Sequence, residues 1–325
     1  VAVTYKNCNI NGLRFLYATD GVSFEGCAFN AQGVEHSFWT YGASKVTVKN
    51  STFTYTDRAV NCYSDNGASH ELDITFEGCS FTYAGTNDAP EGAVEINSSS
   101  VKSIDLVMDG CTAPAKGAMW FNSQWDSKKG ENTVVTIDDI IVWQVLPVAK
   151  IGDVEYKSLQ AAIDAVQNGE TIELLSDVTE VLVNIEKASG VAFTIDGKNN
   201  EFTGVFEIGI GENINIKDIN FVASDEISPD YFIDCMDKNS NCVLTITGCN
   251  FTDTDYSTVA IGTHQPTQVV IDGCNATGVH SLLQNQGGYD ITVKNTTVDG
   301  KRGMSLGTVK GATVENVTIN AADDK

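Results

Sequence analysis

The sequence predicts an all-β solenoid, a right-handed parallel β-helix in two tandem segments. Three observations predict it: a recurring strand pattern, variable spacing between its copies, and one helical pattern in the middle of the chain. The strand pattern reads apolar–x–apolar–charged–Gly/Asn–Cys–x–apolar, and its alternation with period two is typical of a β-strand. Within each half of the chain, successive copies lie 19 to 32 residues apart. Internal periods of this size indicate a solenoid.

The copies occur along the whole chain of 325 residues. In the first half they are VTYKNCNI (3–10), VSFEGCAF (22–29), VTVKNSTF (46–53), ITFEGCSF (74–81), LVMDGCTA (106–113) and a weaker VTIDDIIV (135–142). In the second half they are FTIDGKNN (193–200), INIKDINF (214–221), LTITGCNF (244–251), VVIDGCNA (269–276), ITVKNTTV (291–298) and ATVENVTI (312–319). Because the strand is constant and the spacing is not, the insertions belong in the turns.

The Cys position of the pattern predicts an inward column, with neighbouring coils about 4.8 Å apart. It holds Cys8, Cys27, Ser51, Cys79, Cys111, Ile140, Lys198, Ile219, Cys249, Cys274, Thr296 and Val317. Lys198 departs from the small or apolar type, and we expect it at an exposed end of the second array. The nine cysteines are an odd number, and most share this column, so we expect buried free thiols that act as small hydrophobes.

The charged position before Gly/Asn predicts a second, solvent-exposed column. Its members are Lys6, Glu25, Lys49, Glu77, Asp109, Asp138, Asp196, Lys217, Thr247, Asp272, Lys294 and Glu315. The signs partly alternate between neighbouring coils, as cross-strand pairs on an exposed sheet face do. We interpret this column as structural.

The pattern breaks in the middle of the chain. Leu159, Ala162, Ile163 and Val166 are spaced as one face of a helix over 158–168. Ser158 is the expected N-cap and Gly169 the expected residue after the C-cap. The helix would cover an open end of the solenoid and its unpaired strand edges.

The segment YKSLQAAIDAVQNGETIELLSD (156–177) resembles the one that opens many pectin-lyase-like right-handed parallel β-helices. It is also similar to repeat modules of large surface proteins from gut Gram-positive bacteria. The resemblance implies that residues 148–325 form a β-helix with an N-terminal capping helix. Residues 1–147 would then be the C-terminal coils of a first β-helix whose cap is missing.

The net charge of −23 and the pI of about 4.3 argue against a nucleic-acid partner. No basic stripe is present to displace counterions from phosphates. No apolar run approaches the roughly 20 residues that a membrane span needs, so we expect no membrane insertion. The resemblance implies an extracellular or cell-surface location, with flanking domains of the same longer chain as neighbours.

A second strand in each coil of the first array predicts an outward stripe of aromatic, amide and carboxylate groups. A sugar needs such groups, because its C–H faces stack on rings and its hydroxyls form hydrogen bonds. Exposed aromatic stripes also mark protein interfaces, so a host or bacterial surface protein is the alternative ligand. The remaining alternative is that a neighbouring domain or a long turn covers these aromatic residues and that they bind no ligand. The stripe contains Trp39, Tyr41, Asn61, Tyr63, Glu95, Asn97, Trp120 and Asn122.

In the second array the corresponding outward positions are small or mixed, which predicts plain scaffold. They are Asp234, Met236, Ala260, Gly262, Leu283, Asn285, Ser305 and Gly307.

The best catalytic constellation is Arg58 with Asp65 and Glu95, a cation with two carboxylates. It matches no known lyase or hydrolase signature. Asp253 and Asp255 are weak candidates for a Ca²⁺ site. The favoured hypothesis is therefore a non-catalytic surface module for adhesion or for glycan or protein binding. The rivals are a carbohydrate-active enzyme, either a polysaccharide lyase or a glycoside hydrolase, and a purely structural spacer.

Overall fold

The computed structural model describes residues 2–12, 16, 20–40, 45–63, 71–86, 93–96, 102–112, 133–187, 191–209, 213–235, 242–263, 268–307 and 309–321. The chain divides into two compact units, unit 1 (Val1–Val145) and unit 2 (Leu146–Lys325). Most strand pairs are parallel, and the described part of the chain contains one short helix. The fold is therefore all-β and compatible with a parallel β-helix.

In unit 1 the strands form three sheets. The strands are β1 (Val3–Lys6), β2 (Asn9–Asn11), β3 (Val22–Glu25), β4 (Ala28–Ala31), β5 (Phe38–Trp39), β6 (Lys45–Lys49), β7 (Thr52–Tyr55), β8 (Val60–Cys62), β9 (Glu71–Glu77), β10 (Ser80–Tyr83), β11 (Val94–Ile96), β12 (Ser103–Asp109), β13 (Thr133–Ile137) and β14 (Ile140–Gln144). The sheet orders are β1-β3-β6-β9-β12-β13-β14, β10-β7-β4-β2 and β11-β8-β5. Successive coils such as β3–β4–β5 and β6–β7–β8 contribute one strand to each sheet.

Unit 2 begins with a hairpin and the helix and continues as parallel coils. Its elements are β15 (Ala149–Ile151), β16 (Val154–Tyr156), α1 (Leu159–Ala165), β17 (Thr171–Leu174), β18 (Val178–Ile185), β19 (Ala192–Asp196), β20 (Glu201–Ile208), β21 (Asn213–Lys217), β22 (Asn220–Val222), β23 (Tyr231–Cys235), β24 (Val243–Thr247), β25 (Asn250–Thr252), β26 (Val259–Thr263), β27 (Gln268–Asp272), β28 (Asn275–Val279), β29 (Ser281–Asn285), β30 (Gly288–Lys294), β31 (Thr297–Gly300), β32 (Met304–Leu306), β33 (Val309–Glu315) and β34 (Thr318–Ala321). One sheet runs β16-β15-β17-β19-β21-β24-β27-β30-β33. In the other, β20 pairs with both β22 and β23.

The Gly/Asn position of the repeat turns the chain from one sheet into the next. Its residues have left-handed backbone, with φ between 48° and 65°. They are Asn7, Gly26, Asn50, Gly78, Gly110, Asp218, Gly248, Gly273, Asn295 and Asn316. Gly, Asn and Asp tolerate this conformation best, which explains the composition of the position. At Gly26 a Cβ would lie 2.7 Å from Oδ1 of Asn7 on the neighbouring coil, so the two residue types also complement each other in space.

The inward column is buried over most of its length. Cys27, Ser51 and Cys79 in unit 1, and Ile219, Cys249, Cys274 and Thr296 in unit 2, are all buried. All nine cysteines are free thiols. Several thiols donate to a carbonyl of the neighbouring coil, as Cys79 does to Val48 O at 3.3 Å.

Lys198 is exposed, but its expected place in the column is wrong. It lies in a turn with Asn199, where both have positive φ, and register pairs Glu201 with Asn220, so Asn200 takes the position beside Ile219. Lys198 pairs with Asp196 and Glu173.

The expected ladder position of Ile140 is wrong, because its side chain is 66% exposed. Asp138 and Asp139 both have positive φ, which makes a tight hairpin that reverses the chain. β14 therefore pairs antiparallel with β13. The segment 135–142 is a hairpin and not a further coil.

The charged column forms exposed ion pairs between neighbouring coils. Lys6 lies 2.7 Å from Glu25, and Lys49 pairs with Glu77. In unit 2, Asp196 was expected to be exposed but is buried, and it pairs with Lys217 at 2.8 Å. Lys294 lies 3.2 Å from Asp272 at partly exposed positions. Exposed pairs of this kind contribute little to stability. Apart from Asp196, the column is therefore a solvated ladder of cross-strand pairs, as the sequence predicts.

The predicted helix is present as α1. The side-chain oxygen of Ser158 accepts from the Ala161 N–H at 3.1 Å, so Ser158 is the N-cap, and the four predicted apolar positions are buried. The expected role of Gly169 is wrong. The helix ends at the C-cap Val166, and Gly169, with φ of 83°, lies in the following turn. α1 packs on β15 to β18, the first strands of unit 2.

Candidate functional site

The third sheet of unit 1 aligns three of the predicted stripe residues. Trp39 on β5 is paired with Asn61 on β8, and Asn61 is paired with Glu95 on β11. The intervening residues point into the core, since Phe38, Val60 and Val94 are fully buried. We call Trp39, Asn61 and Glu95 the outer row. Its members are 22 and 34 residues apart in sequence, yet parallel pairing places them side by side on one face.

Glu95 is ion-paired with Arg58, which enters the face just before β8. Arg58 Nη1 contacts Glu95 Oε2, and Arg58 Nη2 lies 3.5 Å from Asp57 Oδ1. The Glu95 side chain is only 6% exposed and that of Arg58 is 22% exposed. A carboxylate this deep needs a cation to offset its desolvation. Arg58 therefore anchors one end of the outer row.

Trp39 anchors the other end within a small aromatic group. The ring of buried His36 lies 4.8 Å from that of Trp39, measured between centroids. Tyr63 meets Trp39 edge to face at 5.8 Å. Both Trp39 and Tyr63 remain partly exposed. Edge-to-face packing holds ring orientation, so the exposed part of Trp39 is a preset apolar surface.

Asn61 occupies the middle of the outer row between the ring and the ion pair. Its Oδ1 is buried and makes no hydrogen bond to any residue that the structure describes. Beneath it, burial raises the pKa of the Cys62 thiol, and the nearby Glu95 carboxylate raises it further. Cys62 is thus a neutral core residue, and the polar groups of this face belong to the outer row and Arg58.

The remaining predicted stripe residues and one catalytic candidate lie outside the described residues. They are Tyr41, Asn97, Trp120, Asn122 and Asp65. Of the catalytic constellation, Arg58 and Glu95 meet.

Sequence reasoning missed His36. It grouped Arg58 with Glu95 as catalytic candidates, but it did not expect them to form an ion pair. Strand alternation could have indicated His36. Phe38 was expected to point inward, and a residue two positions earlier in an extended strand points to the same side. No local signal foretold the ion pair, since Arg58 and Glu95 are 37 residues apart. Their meeting depends on the lengths of the intervening turns.

The Ca²⁺ candidates are placed in a turn of unit 2. The carboxylate of buried Asp253 accepts from the N–H groups of Thr258 at 2.8 Å and Thr254 at 2.7 Å. Burial raises the pKa of Asp253, but hydrogen bonds from Thr258 and Thr254 outweigh this and leave it lowered. Asp255 is exposed and accepts from the Ser257 N–H. The described residues contain no group of three or more metal-ligating side chains. Ca²⁺ binding stays a prediction, and the visible role of Asp253 is to cap its turn.

No protein-family model and no curated protein matches the chain. Among the described residues, no helix combines the length and the apolar character needed to cross a membrane.

Proposed function

We propose that the chain is a non-catalytic β-helix module that binds carbohydrate through the outer row of unit 1. The observation that carries this proposal is the registered row Trp39–Asn61–Glu95, with the partly exposed Trp39 ring at one end. A ring offers a stacking surface for a sugar C–H face. The Asn61 amide beside it can donate to a hydroxyl through its Nδ2 group.

The setting that we propose is two tandem right-handed β-helices of the pectin-lyase-like kind in a large bacterial surface or secreted protein. The parallel sheets of each unit and the capped helix α1 at the start of unit 2 support this setting. So does the resemblance of residues 156–177 to opening segments of such helices. The module would act in adhesion, outside the cell.

A polysaccharide panel on the whole chain tests the proposal when binding and cleavage are read together. We expect at least one polymer to bind with no new chain ends formed. Trp39→Ala should weaken that binding about two- to tenfold, because stacking on one ring is worth roughly 0.5–1.5 kcal/mol.

The matched control is Tyr5→Ala, which removes a partly exposed ring from a different sheet of unit 1. It should leave binding unchanged. Equal binding by the wild type and Trp39→Ala would refute the role of the outer row. A panel without any binding would favour the structural spacer.

One observation favours the enzyme alternative. Arg58 contacts two carboxylates, Asp57 and Glu95, and a carboxylate pair is what most glycoside hydrolases use. Against it, Glu95 is nearly buried and neutralised by Arg58. Cleavage of any polymer that is lost in both Asp57→Asn and Glu95→Gln, with folding retained, would establish the enzyme and reject the non-catalytic module.

A further inference from the structure

The outer face formed by β23, β26, β29 and β32 of unit 2 differs from the plain scaffold that the sequence predicts. Leu283 and Asn285 were expected to point outward, but both are buried. Register pairs Gly262 with Gln284, and Gln284 with Ser305. Register also pairs Ile261 with Leu283 and Thr263 with Asn285 without a shift, so Leu283 and Asn285 are inward positions and the predicted phase of this strand was off by one residue. Gln284 is therefore on the outer face.

A cleft of about 230 Å³ opens on this face beside Gln284. Two neighbouring coils line it, with hydroxyl, amide, imidazole and guanidinium groups and one thioether. The lining residues are His280, Ser281, Gln284, Arg302, Met304 and Ser305. The volume suits one sugar-sized ring or a smaller group.

Arg302 brings a cation to the cleft, and no carboxylate among the described residues forms an ion pair with it. Its backbone N–H donates to His280 O at 2.7 Å, which fixes the two residues on adjacent coils. No ion pair joins Arg302 to a carboxylate in the described part of the chain, although other cations such as Lys294 have such partners. In a chain with 43 acidic residues and 20 basic ones, this is unusual. The guanidinium remains available to an external anion.

His280 adds a neutral group beside that cation. Its Nδ1 is buried and forms no hydrogen bond to a described residue. Burial lowers the pKa of His280, and the charges of Arg302 and Lys301 lower it further. At neutral pH the imidazole is uncharged and can donate one N–H, so the cleft wall carries the single positive charge of Arg302.

Tyr231 sets the orientation of Gln284. Its hydroxyl donates to Gln284 Oε1 at 3.4 Å, and burial, followed by Asp234 and Asp230, raises the pKa of Tyr231. The amide Nε2 is then the group left to donate. The Tyr231 ring lies over Gly262, where a Cβ would come within 2.5 Å of ring Cδ1. Glycine at 262 is what allows the ring to reach Gln284.

We infer that this cleft binds a monoanionic oxyanion group, a carboxylate or a sulfate ester, on a sugar-sized ligand. A guanidinium fork fits planar or tetrahedral oxyanions through paired N–H donors. The Gln284 amide and the Ser281 and Ser305 hydroxyls supply further donors. One cation balances a monoanion, whereas a dianion would be undercompensated in a chain of net charge −23. This site is separate from the outer row of unit 1.

The test is a titration of the full chain with each of three sugars, in which binding is measured by NMR chemical shifts or by calorimetry. Glucuronate and N-acetylglucosamine 6-sulfate are the anionic probes, and glucose is the neutral one. We expect at least one anionic probe to bind at least about tenfold more tightly than glucose, because charge-assisted hydrogen bonds exceed neutral ones. The probe that binds better identifies the source of the anion, carboxylate or sulfate.

Variants separate a built site from general charge attraction. Arg302→Gln should weaken binding at least about tenfold, while Lys301→Gln removes the same charge next to the cleft and should change it less than about twofold. Gln284→Leu gives a second, uncharged disruption if Arg302→Gln fails to fold. Equal losses in Arg302→Gln and Lys301→Gln, or glucose binding as well as both anions, would overturn the inference. So would no binding of either anion. Trp39→Ala should leave this binding intact, so the outcome is independent of the proposed function.

Discussion

The two units build similar coils with different side-chain chemistry. In unit 1 the position two after the inward column holds a phenylalanine stack, in which Phe53 lies parallel to Phe29 at 4.4 Å and to Phe81 at 4.7 Å between ring centroids. In unit 2 the stack is limited to Phe221 and Phe251, and register then continues it with Ala276 and Val298.

Unit 2 has an amide ladder where unit 1 has none. Asn250 donates to Asn220 Oδ1 at 2.7 Å and accepts from Asn275 at 3.1 Å. The same position in unit 1 includes Ala28, which has no amide. The difference teaches that coil geometry constrains only the size and direction of a side chain. Unit 1 has the longer stack of rings, whereas unit 2 adds an amide ladder, and each unit has a different outer face.

The largest expected effect is on the phenylalanine stack of unit 1. Phe53→Ala should lower the free energy of unfolding of unit 1 by about 4 kcal/mol, because the cavity is left between two rings. Phe251→Ala should lower that of unit 2 by about 1 kcal/mol less, since Phe251 is stacked on one ring, Phe221, whereas Phe53 is stacked on two. Denaturant-dependent hydrogen exchange, assigned to each unit, measures both. A larger loss at Phe251 would break the comparison.

The ion pair of unit 1 comes next. Arg58→Met should cost about 3 kcal/mol, because it leaves the nearly buried Glu95 carboxylate without its cation. Lys49→Met, which breaks the exposed pair with Glu77, should change stability little, because exposed ion pairs are screened by solvent. Urea unfolding of both variants gives the difference. Adding Glu95→Leu to Arg58→Met should recover stability, and failure to do so would mean that Arg58 acts through packing alone.

The turn cap of unit 2 carries a pH dependence. Asp253→Asn should cost about 2 kcal/mol at pH 7, because the carboxylate accepts several backbone N–H groups. The folded-state pKa of Asp253 is lowered. The stabilisation is therefore complete above the unfolded value of about 3.9 and is lost as pH falls through the folded pKa.

Urea unfolding of the wild type and Asp253→Asn between neutral and acidic pH should show the two curves converging at acid pH. Exposed Asp255 serves as control, and Asp255→Asn should change stability by about 0.5 kcal/mol or less. Curves that stay parallel would show that the Asp253 charge is irrelevant to the cap.

The smallest effect concerns the amide ladder. Asn250→Ala should destabilise unit 2 by about 1 kcal/mol, since it removes two ladder hydrogen bonds at a partly exposed position. Thr52→Ala at the corresponding exposed position of unit 1 should change stability by less than about 0.5 kcal/mol. Thermal or urea unfolding suffices. Equal effects would mean that the ladder adds nothing specific to unit 2.

The sequence by itself determined the strands, the inward column, the exposed charge ladder and the helix with its Ser158 cap. These features follow from local periods, because a strand alternates every residue and a helix repeats every 3.6. The left-handed turn at the Gly/Asn position was recognised only in the structure.

Only the tertiary structure decided which side chains meet. Arg58 reaches Glu95 because turns of particular length bring them to adjacent coils. Ile140 leaves the inward column because two consecutive positive φ angles reverse the chain. Gln284 faces outward because parallel pairing with β26 sets the phase of its strand, with Leu283 beside inward Ile261, and an error of one residue in that phase exchanges the two faces of a strand. Sequence periodicity thus specifies the coils, whereas turn lengths and the register between coils, which periodicity does not encode, determine the two candidate binding faces.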